Sequence, residues 1–185
     1  DVCGDRLMYK VSIPGQHWVS NSLGILAVIS ALGADLSLAA LALGELKATP
    51  GRGQRVTIKT RDGLACVIDD SYNANPASMR ASLQTLGASR VTGPGRRIAV
   101  LGDMLELGED ADQEHGDLAR VICDANIDQV LCIGTHMKAL EAELGQKAKV
   151  HHLTSIEELL SFAGRDFHQR DLILVKGSNA LGLGR

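Results

Sequence analysis

Residues 64–86 read LACVIDDSYNANPASMRASLQTL, and they decide the fold class because a predicted strand ends in carboxylates just before a helix begins. Residues 64–68 form a short apolar run with two β-branched members, which is typical of a buried strand. Asn75 followed by Pro76 predicts an N-cap and the first position of a helix. One apolar face of that helix is predicted to consist of Met79, Leu83 and Leu86.

The connection between this strand and this helix, residues 70–75, consists of polar or small residues. Such a run is consistent with an Asx-rich turn that satisfies its own backbone. It is equally consistent with a ligand loop, because α/β proteins bind ligands at the carboxyl ends of their strands. On residue chemistry alone both interpretations stay open.

The strand–turn–helix pattern repeats from Arg55 onward. Three further runs of continuous apolar residues predict parallel strands buried on both faces, at 98–101, 130–133 and 172–175. Helical patterns lie between them, including Leu118, Val121, Ile122 and Ala125 on one face and a capping box at 155–158. We therefore predict an α/β fold with an open, mostly parallel, Rossmann-like sheet flanked by helices.

Polar residues follow four of the predicted strands directly. Because parallel strands end at one edge of a sheet, these residues are expected to face one cleft. The four ends are Asp69-Asp70-Ser71, Gly102-Asp103, Gly134-Thr135-His136 and Lys176-Gly177-Ser178.

The first fifty residues have a different character. Residues 7–13 alternate like a strand, and the Ala/Leu-rich segments 18–32 and 36–46 predict an αα-hairpin that needs a partner surface. Residues 50–53, Pro-Gly-Arg-Gly, mark a domain boundary. The chain begins at Asp1 rather than methionine, so we expect it to be part of a longer protein.

Composition excludes several classes of function. A net charge of −3 with mixed signs and only five aromatic residues argue against nucleic-acid binding. The longest apolar stretch, 23–43, is broken by polar residues and glycine, which argues against membrane insertion. The cysteines lack CxxC spacing, and three of the four lie in apolar runs. Cys3, Cys66, Cys123 and Cys132 therefore predict buried thiols in a reducing, cytoplasmic compartment.

Residues 69–76, Asp-Asp-Ser-Tyr-Asn-Ala-Asn-Pro, closely resemble a signature of the Mur ligases, in the branch that adds D-alanyl-D-alanine to UDP-N-acetylmuramoyl-tripeptide. Three further matches occur in the same order and spacing as in the C-terminal part of those ligases. They are residues 50–55, residues 101–108 with His115, and residues 175–178. The resemblance covers essentially the whole chain.

The resemblance implies a set of ATP-binding residues. Asn21, with His17 one helical turn before it, matches the asparagine that meets adenine, although Trp18 stands where the family usually has asparagine. Arg52 matches an arginine that approaches the nucleotide, and Asp70 matches the acidic residue that holds the ribose. Without the resemblance, a helix cap, a solvated asparagine and a solvated linker arginine would be the ordinary interpretations.

Within this assignment, the charged residues after the predicted strands are candidates for a site that binds the incoming dipeptide. Asp103 or Glu106 would orient its ammonium group, and Lys176 with the amides of Gly177 and Ser178 would meet its carboxylate. Asn73 is included in the same site as a residue that fixes the loop. The alternative for residues 106–114 is a solvated acidic loop.

The sequence contains no GxxxxGK[ST] phosphate loop. By resemblance, that loop, the Mg²⁺ ligands and a carbamylated lysine belong to a central domain. We therefore expect residues 1–50 to be the helical end of that central ATP-binding domain and residues 51–185 to be the C-terminal ligase domain. No metal site and no catalytic residue are predicted here, and the chain alone is expected to be an inactive monomer.

The activity implied is ATP-dependent amide ligation through an acyl phosphate, in peptidoglycan precursor synthesis. A sister Mur-type or folylpolyglutamate-type ligase is the first alternative. The second is a phosphoacceptor signalling module. Such modules place an Asp pair, a central Asp and a Lys at strand ends, and Asp69, Asp70, Asp103 and Lys176 resemble that set. Gly177 argues against that module, which normally has proline after the lysine.

Overall fold

The computed structural model describes residues 6–184 and divides the chain into two compact units, residues 1–48 and 49–185. In the first unit, helices α1 (Gln16–Ala31) and α2 (Leu36–Glu45) form the predicted αα-hairpin. The Asp35 carboxylate caps α2 by accepting the backbone N–H groups of Ser37 and Leu38.

The small core of the first unit corrects one prediction. Residues 7–13 alternate in burial, as the sequence indicates, but they are not a strand. Leu7 and Tyr9 pack instead against the buried Leu26 and Leu43 of the two helices. The alternation reflects an extended segment with one face on helices, so no neighbouring strand is needed to explain it.

The second unit is built on a six-stranded sheet with the order β1-β2-β6-β3-β4-β5. The strands are β1 (Gln54–Thr60), β2 (Gly63–Asp69), β3 (Arg97–Gly102), β4 (Gln129–Ile133), β5 (Lys149–Leu153) and β6 (Leu172–Lys176). The helices are α3 (Pro76–Ala88), α4 (Ala111–Gly116), α5 (Leu118–Asp124), α6 (Met137–Leu144) and α7 (Ile156–Asp166). Only β1 is antiparallel to its neighbour, so the predicted open and mostly parallel sheet is confirmed.

Side chains of the central strands are buried on both faces of the sheet. Ala99 and Leu101 of β3 contribute to a core with α3, α5 and α6, whereas Ile98 and Val100 contribute to a second core with α7. All four are at most 1% exposed. This two-sided burial explains why the central strands read as continuous apolar runs.

Helix α3 begins as predicted. Asn75 Oδ1 accepts the Ser78 N–H at 2.8 Å, Ser78 Oγ accepts the Asn75 N–H at 3.1 Å, and Pro76 is the first helical residue. Met79, Leu83 and Leu86 are fully buried. The helical end of the strand–loop–helix junction is therefore fixed.

The capping box predicted at 155–158 is only half formed. Ser155 Oγ accepts the Glu158 N–H at 3.2 Å, which caps α7 as expected. The Glu158 carboxylate, however, accepts the backbone N–H and the hydroxyl of Thr154, one residue earlier. The loop before α7 is thereby held by the same carboxylate.

The three described cysteines are free thiols with different exposure. Cys132 is buried in β4 as predicted, and Cys66 is partly buried. Cys123 is exposed, contrary to prediction, because α5 directs Leu118 and Ile122 to the core. Cys3 lies outside the described residues. Within residues 6–184, no helix is both long enough and apolar enough to cross a bilayer.

Candidate functional site

Three parallel strands bring the central polar loops side by side. In the register of the sheet, Asp69 of β2 lies opposite Val175 of β6, and Lys176 of β6 lies opposite Leu101 of β3. The Asp70 N–H donates to Val175 O at 2.9 Å on one side of β6. The strand ends that the sequence predicted to share one edge are therefore neighbours.

Asp70 is held through one of its two carboxylate oxygens. Oδ2 accepts the Ser82 hydroxyl at 2.5 Å and lies 2.9 Å from Lys176 Nζ. The side chain is 22% exposed, and Oδ1 has no hydrogen bond within residues 6–184. This oxygen is available to accept a hydrogen bond from a ligand hydroxyl.

Lys176 directs its ammonium group into the loop after β2. Its side chain is 3% exposed, and Nζ donates to Asn73 O at 2.9 Å and Asp70 O at 3.3 Å besides pairing with the Asp70 carboxylate. An ammonium has three N–H donors, and these three acceptors match them. A substrate carboxylate would therefore have to displace one of these contacts to bind Lys176.

Asp69 fastens the preceding segment to the same loop. Its Oδ2 accepts the Gly51 N–H at 3.0 Å, and its Oδ1 accepts the N–H and the hydroxyl of Ser71. Its main-chain oxygen accepts the Gly53 N–H at 2.8 Å. The residues on both sides of Arg52 are thus anchored, while Arg52 itself is exposed and lies over the ring of Tyr72.

Asp103 caps a helix with its carboxylate. Oδ1 accepts the Met137 N–H at 3.0 Å and Oδ2 accepts the His136 N–H at 3.3 Å, at the start of α6, where negative charge is favourable. Gly134 allows this approach, because a Cβ there would overlap the Asp103 carboxyl group. Asp103 is 6% exposed, so its position suits structure better than direct contact with a substrate.

His115 fixes the chain after Asp103. Its ring is fully buried, Nε2 accepts the Met104 N–H at 2.8 Å, and Nδ1 lies 2.6 Å from Ala111 O. These partners assign the neutral tautomer with the proton on Nδ1. His115 therefore anchors both ends of the segment 104–111.

His136 stacks against His115 and also forms an ion pair at the surface. Its ring centroid lies 5.5 Å from that of His115, and its Nδ1 lies 2.7 Å from Asp112 Oδ1. The hydrogen bond to Asp112 raises the pKa of His136, because it favours the protonated ring.

The remaining residues predicted for the dipeptide have polar groups that are free within residues 6–184. Glu106 is exposed, adopts a left-handed conformation with φ of 65°, and has no hydrogen bond on its carboxylate. Ser178 donates its N–H to Asp103 O at 3.0 Å, which leaves its hydroxyl unpaired. The Asn73 side chain is exposed and uses only its Oδ1, which accepts the Ala74 N–H.

The two other residues predicted for ATP, His17 and Asn21, belong to the first unit. Both are exposed on the first two turns of α1. The His17 and Trp18 rings are 5.5 Å apart.

Sequence reasoning missed two residues of this site. Ser82 holds the Asp70 carboxylate, and its only sequence signal is a hydroxyl on the apolar face of α3. Tyr72 lies under Arg52, although the sequence places these residues in different predicted segments. A polar residue on a buried helical face was the available clue for Ser82, whereas Tyr72 had none.

Residues 51–179 match the family described as Mur ligase, glutamate ligase domain. The chain is 36% identical over 180 residues to a UDP-N-acetylmuramoyl-tripeptide–D-alanyl-D-alanine ligase of Bacillus subtilis, covering 95% of this chain and 38% of that protein. It is 33% identical over 171 residues to the ligase of the same name from Escherichia coli, covering 92% and 36%.

Solved structures are also similar to this chain. MurF from Acinetobacter baumannii superposes with a TM-score of 0.76 at 30% identity, covering 94% of this chain and 37% of that one. MurF from Thermotoga maritima, solved in complex with ADP, shares the fold with a TM-score of 0.70 at 24% identity, covering 89% and 35%. The chain spans between a third and two fifths of the length of these relatives. With most of its second unit matching the family, the chain belongs to the Mur ligases.

Proposed function

We propose that this chain is the C-terminal part of an ATP-dependent amide ligase that joins D-alanyl-D-alanine to UDP-N-acetylmuramoyl-tripeptide. The observation that carries the proposal is the sheet edge at which Asp70 keeps one carboxylate oxygen free, while the exposed Arg52 stacks on Tyr72 of the same loop. The names of its relatives support this choice of substrates.

We assign residues 1–50 to the end of the central ATP-binding domain and residues 51–185 to the C-terminal domain. The division of the chain after residue 48 and the family match from residue 51 support this boundary. The relatives are more than twice as long as this chain. We propose that the rest of the catalytic machinery corresponds to the part of the relatives that this chain does not cover.

For the nucleotide, we propose that Asp70 Oδ1 accepts a ribose hydroxyl and that the Arg52 guanidinium meets the phosphates. Asn21, with His17 nearby on α1, is proposed to contact adenine. Magnesium is assigned mainly to the central domain, which would supply its ligands. Within residues 6–184, no three His, Cys, Asp or Glu side chains converge as a metal site.

For the dipeptide, we propose that the Glu106 carboxylate accepts hydrogen bonds from the ammonium group. The Ser178 hydroxyl and the Asn73 side-chain amide would donate hydrogen bonds to the carboxylate of the dipeptide. Glu106 has an exposed carboxylate without a partner in the described chain, and among the exposed acidic residues of this loop it follows β3 most directly. Asp103 is proposed to act indirectly, by capping α6 and holding the Glu106 loop in place.

The proposed reaction transfers the γ-phosphoryl group of ATP to the tripeptide carboxylate. The neutral amine of D-alanyl-D-alanine then attacks the acyl carbon, the amine loses a proton, and inorganic phosphate leaves with its bonding electron pair. The groups described here would position the two substrates and neutralise charge, which are large sources of rate acceleration. Closure of this domain on the nucleotide is the conformational step we expect.

Phosphate release by the complete parent protein tests the function. ATP, Mg²⁺ and UDP-N-acetylmuramoyl-tripeptide are supplied with D-alanyl-D-alanine or with single amino acids. We expect release that depends on the dipeptide. Release with a single amino acid would identify a sister ligase, and no release would refute the ligase proposal.

Two variants of the complete parent protein test the substrate assignments. Asp70→Ala is expected to raise the KM for ATP more than that for the dipeptide, and the reverse bias would refute the ribose assignment. Glu106→Gln is expected to raise the KM for the dipeptide about tenfold, because it removes a charged hydrogen-bond acceptor. Glu109→Gln, in the same exposed segment, is the matched control.

A further inference from the structure

Lys176 is a buried cation in the middle of the proposed site. It ends β6, which lies between β2 and β3, so its neighbours are the two strands that end directly before Asp70 and Asp103. Its side chain is 3% exposed. A charge at this depth requires compensation by a partner, and here the partner is the carboxylate assigned to the ribose.

The contacts of the Lys176 ammonium group all lie in the loop after β2, which contains Asp70. Nζ is 2.9 Å from Asp70 Oδ2, and its other two contacts are the main-chain oxygens of Asp70 and Asn73. It thus holds both ends of the segment 70–73 and the side chain of Asp70. No contact of Nζ within residues 6–184 is with the acidic loop that follows β3.

The backbone around Lys176 connects the two loops. On one side Val175 O accepts the Asp70 N–H, and on the other the Ser178 N–H donates to Asp103 O at 3.0 Å. Gly177 permits this close approach to β3, because a Cβ on it would lie 2.9 Å from Gly102 Cα. The segment 175–178 is therefore bound to both strand ends.

We propose that Lys176 is a positioning residue that orients Asp70 for the ribose of ATP and does not bind the dipeptide carboxylate. This inference rests on the proposed function. Together with Ser82, Lys176 occupies Asp70 Oδ2 and directs the other oxygen, Oδ1, to the ligand. Removing the ammonium leaves Oδ2 with Ser82 as its single partner and releases two main-chain oxygens of the loop.

The experiment compares KM values in the complete parent protein. Lys176→Met keeps much of the side-chain length and removes the charge. We expect its KM for ATP to rise about tenfold, the loss expected for hydrogen bonds to a charged group, while its KM for the dipeptide changes less than twofold. A larger rise in the KM for the dipeptide would overturn the proposal.

A double-mutant cycle tests whether Lys176 acts through Asp70. Asp70→Asn and Lys176→Met are combined, and we expect their effects on the KM for ATP to be strongly non-additive because both remove the same pair. Additive effects would overturn the proposal. If Lys176→Met fails to fold, Ser82→Ala replaces it. If Ser82→Ala raises the KM for ATP more than that for the dipeptide, and its effect is non-additive with that of Asp70→Asn, anchoring of Oδ2 is supported. Equal effects on the two KM values, or additive effects on the KM for ATP, would overturn it.

The wild-type protein separates this inference from the proposed function. Absence of dipeptide-dependent phosphate release by the wild type refutes the ligase assignment and with it the basis of the inference. If the wild type is active and Lys176→Met raises the KM for the dipeptide more than that for ATP, only the role of Lys176 is refuted.

Discussion

The guanidinium carbon of Arg52 lies 4.0 Å from the centroid of the Tyr72 ring. This stacking connects the segment that precedes β1 with the loop after β2, and Asp69 reinforces the connection through the Gly51 N–H. An exposed arginine has many rotamers, and the ring favours one region of them. The geometry therefore presents Arg52 beside the loop that contains Asp70.

Replacing Tyr72 tests whether this stacking prepares Arg52 for ATP. Tyr72→Ala in the complete parent protein is expected to raise the KM for ATP two- to fivefold, because an exposed cation–π contact is worth about 0.5–1 kcal/mol. Tyr72→Phe keeps the aromatic face and is expected to stay near the wild-type value. Equal effects of the two substitutions would show that the phenol hydroxyl, and not the ring face, is needed.

A second prediction concerns the opposite end of the sheet, where Asp171 is buried. Its carboxylate accepts the backbone N–H, Nε and Nη2 of Arg96 and the backbone N–H of His168. Asp171→Asn is expected to lower the free energy of unfolding by about 3 kcal/mol, because it leaves the Arg96 charge without its partner. Urea unfolding followed by far-UV circular dichroism measures this, since the single tryptophan, Trp18, belongs to the first unit and Asp171 to the second.

An exposed ion pair provides the control for that measurement. Arg120 and Asp124 lie 3.8 Å apart, with 89% and 73% of their side chains exposed. Asp124→Asn is expected to change the free energy of unfolding by less than about 0.5 kcal/mol. A loss for Asp171→Asn no greater than this would contradict a structural role for the buried pair.

The fold could be predicted from the sequence where burial alone determines the pattern. The central strands β3, β4 and β6 are covered on both faces and therefore read as continuous apolar runs. The edge strand β5 contains Lys149, His151 and His152, so its sequence does not show that run. β1 also escaped prediction, because most of its side chains are exposed on an antiparallel edge.

The site could be predicted only in part, because its partners are distant in sequence. Asp70 was recognisable from the adjacent strand and helix, but its contact with Lys176 depends on the pairing of β2 with β6. Asp103 resembles a ligand residue in sequence, and its actual partners are amides 33 and 34 residues later. Local patterns locate strand ends but do not reveal which polar groups are satisfied there.

A third prediction follows from His136 and its partner Asp112. The hydrogen bond to Asp112 raises the pKa of His136. Asp112→Asn is expected to lower that pKa toward the ordinary histidine value, as measured by NMR titration of the ring proton and assigned with a His136→Gln variant. Asp117→Asn, at the end of the same helix, is the control. An unchanged pKa in Asp112→Asn would show that the pair does not persist in solution.

The raised pKa of His136 also makes the stability of the fold depend on pH. Because the pKa of His136 is higher in the folded than in the unfolded chain, the folded state binds the proton more tightly. The resulting stabilisation is complete below the unfolded pKa, about 6.5, and is lost as the pH rises through the folded value. Asp112→Asn should therefore reduce the difference between the free energies of unfolding at pH 5.5 and at pH 8.

The last prediction separates the thiols by environment. Burial, with smaller contributions from Glu141 and Asp103, raises the pKa of Cys132 to about 12. At pH 8 only roughly one in ten thousand Cys132 side chains would be thiolate, the reactive form, and the surrounding core also blocks access. Cys123 is exposed on α5. We expect a thiol-specific reagent to modify Cys123 in the folded chain and Cys132 only after unfolding in urea, as read by peptide mass spectrometry. Modification of both at similar rates in the folded chain would contradict the burial of Cys132, and Cys123→Ser should remove only the fast reaction.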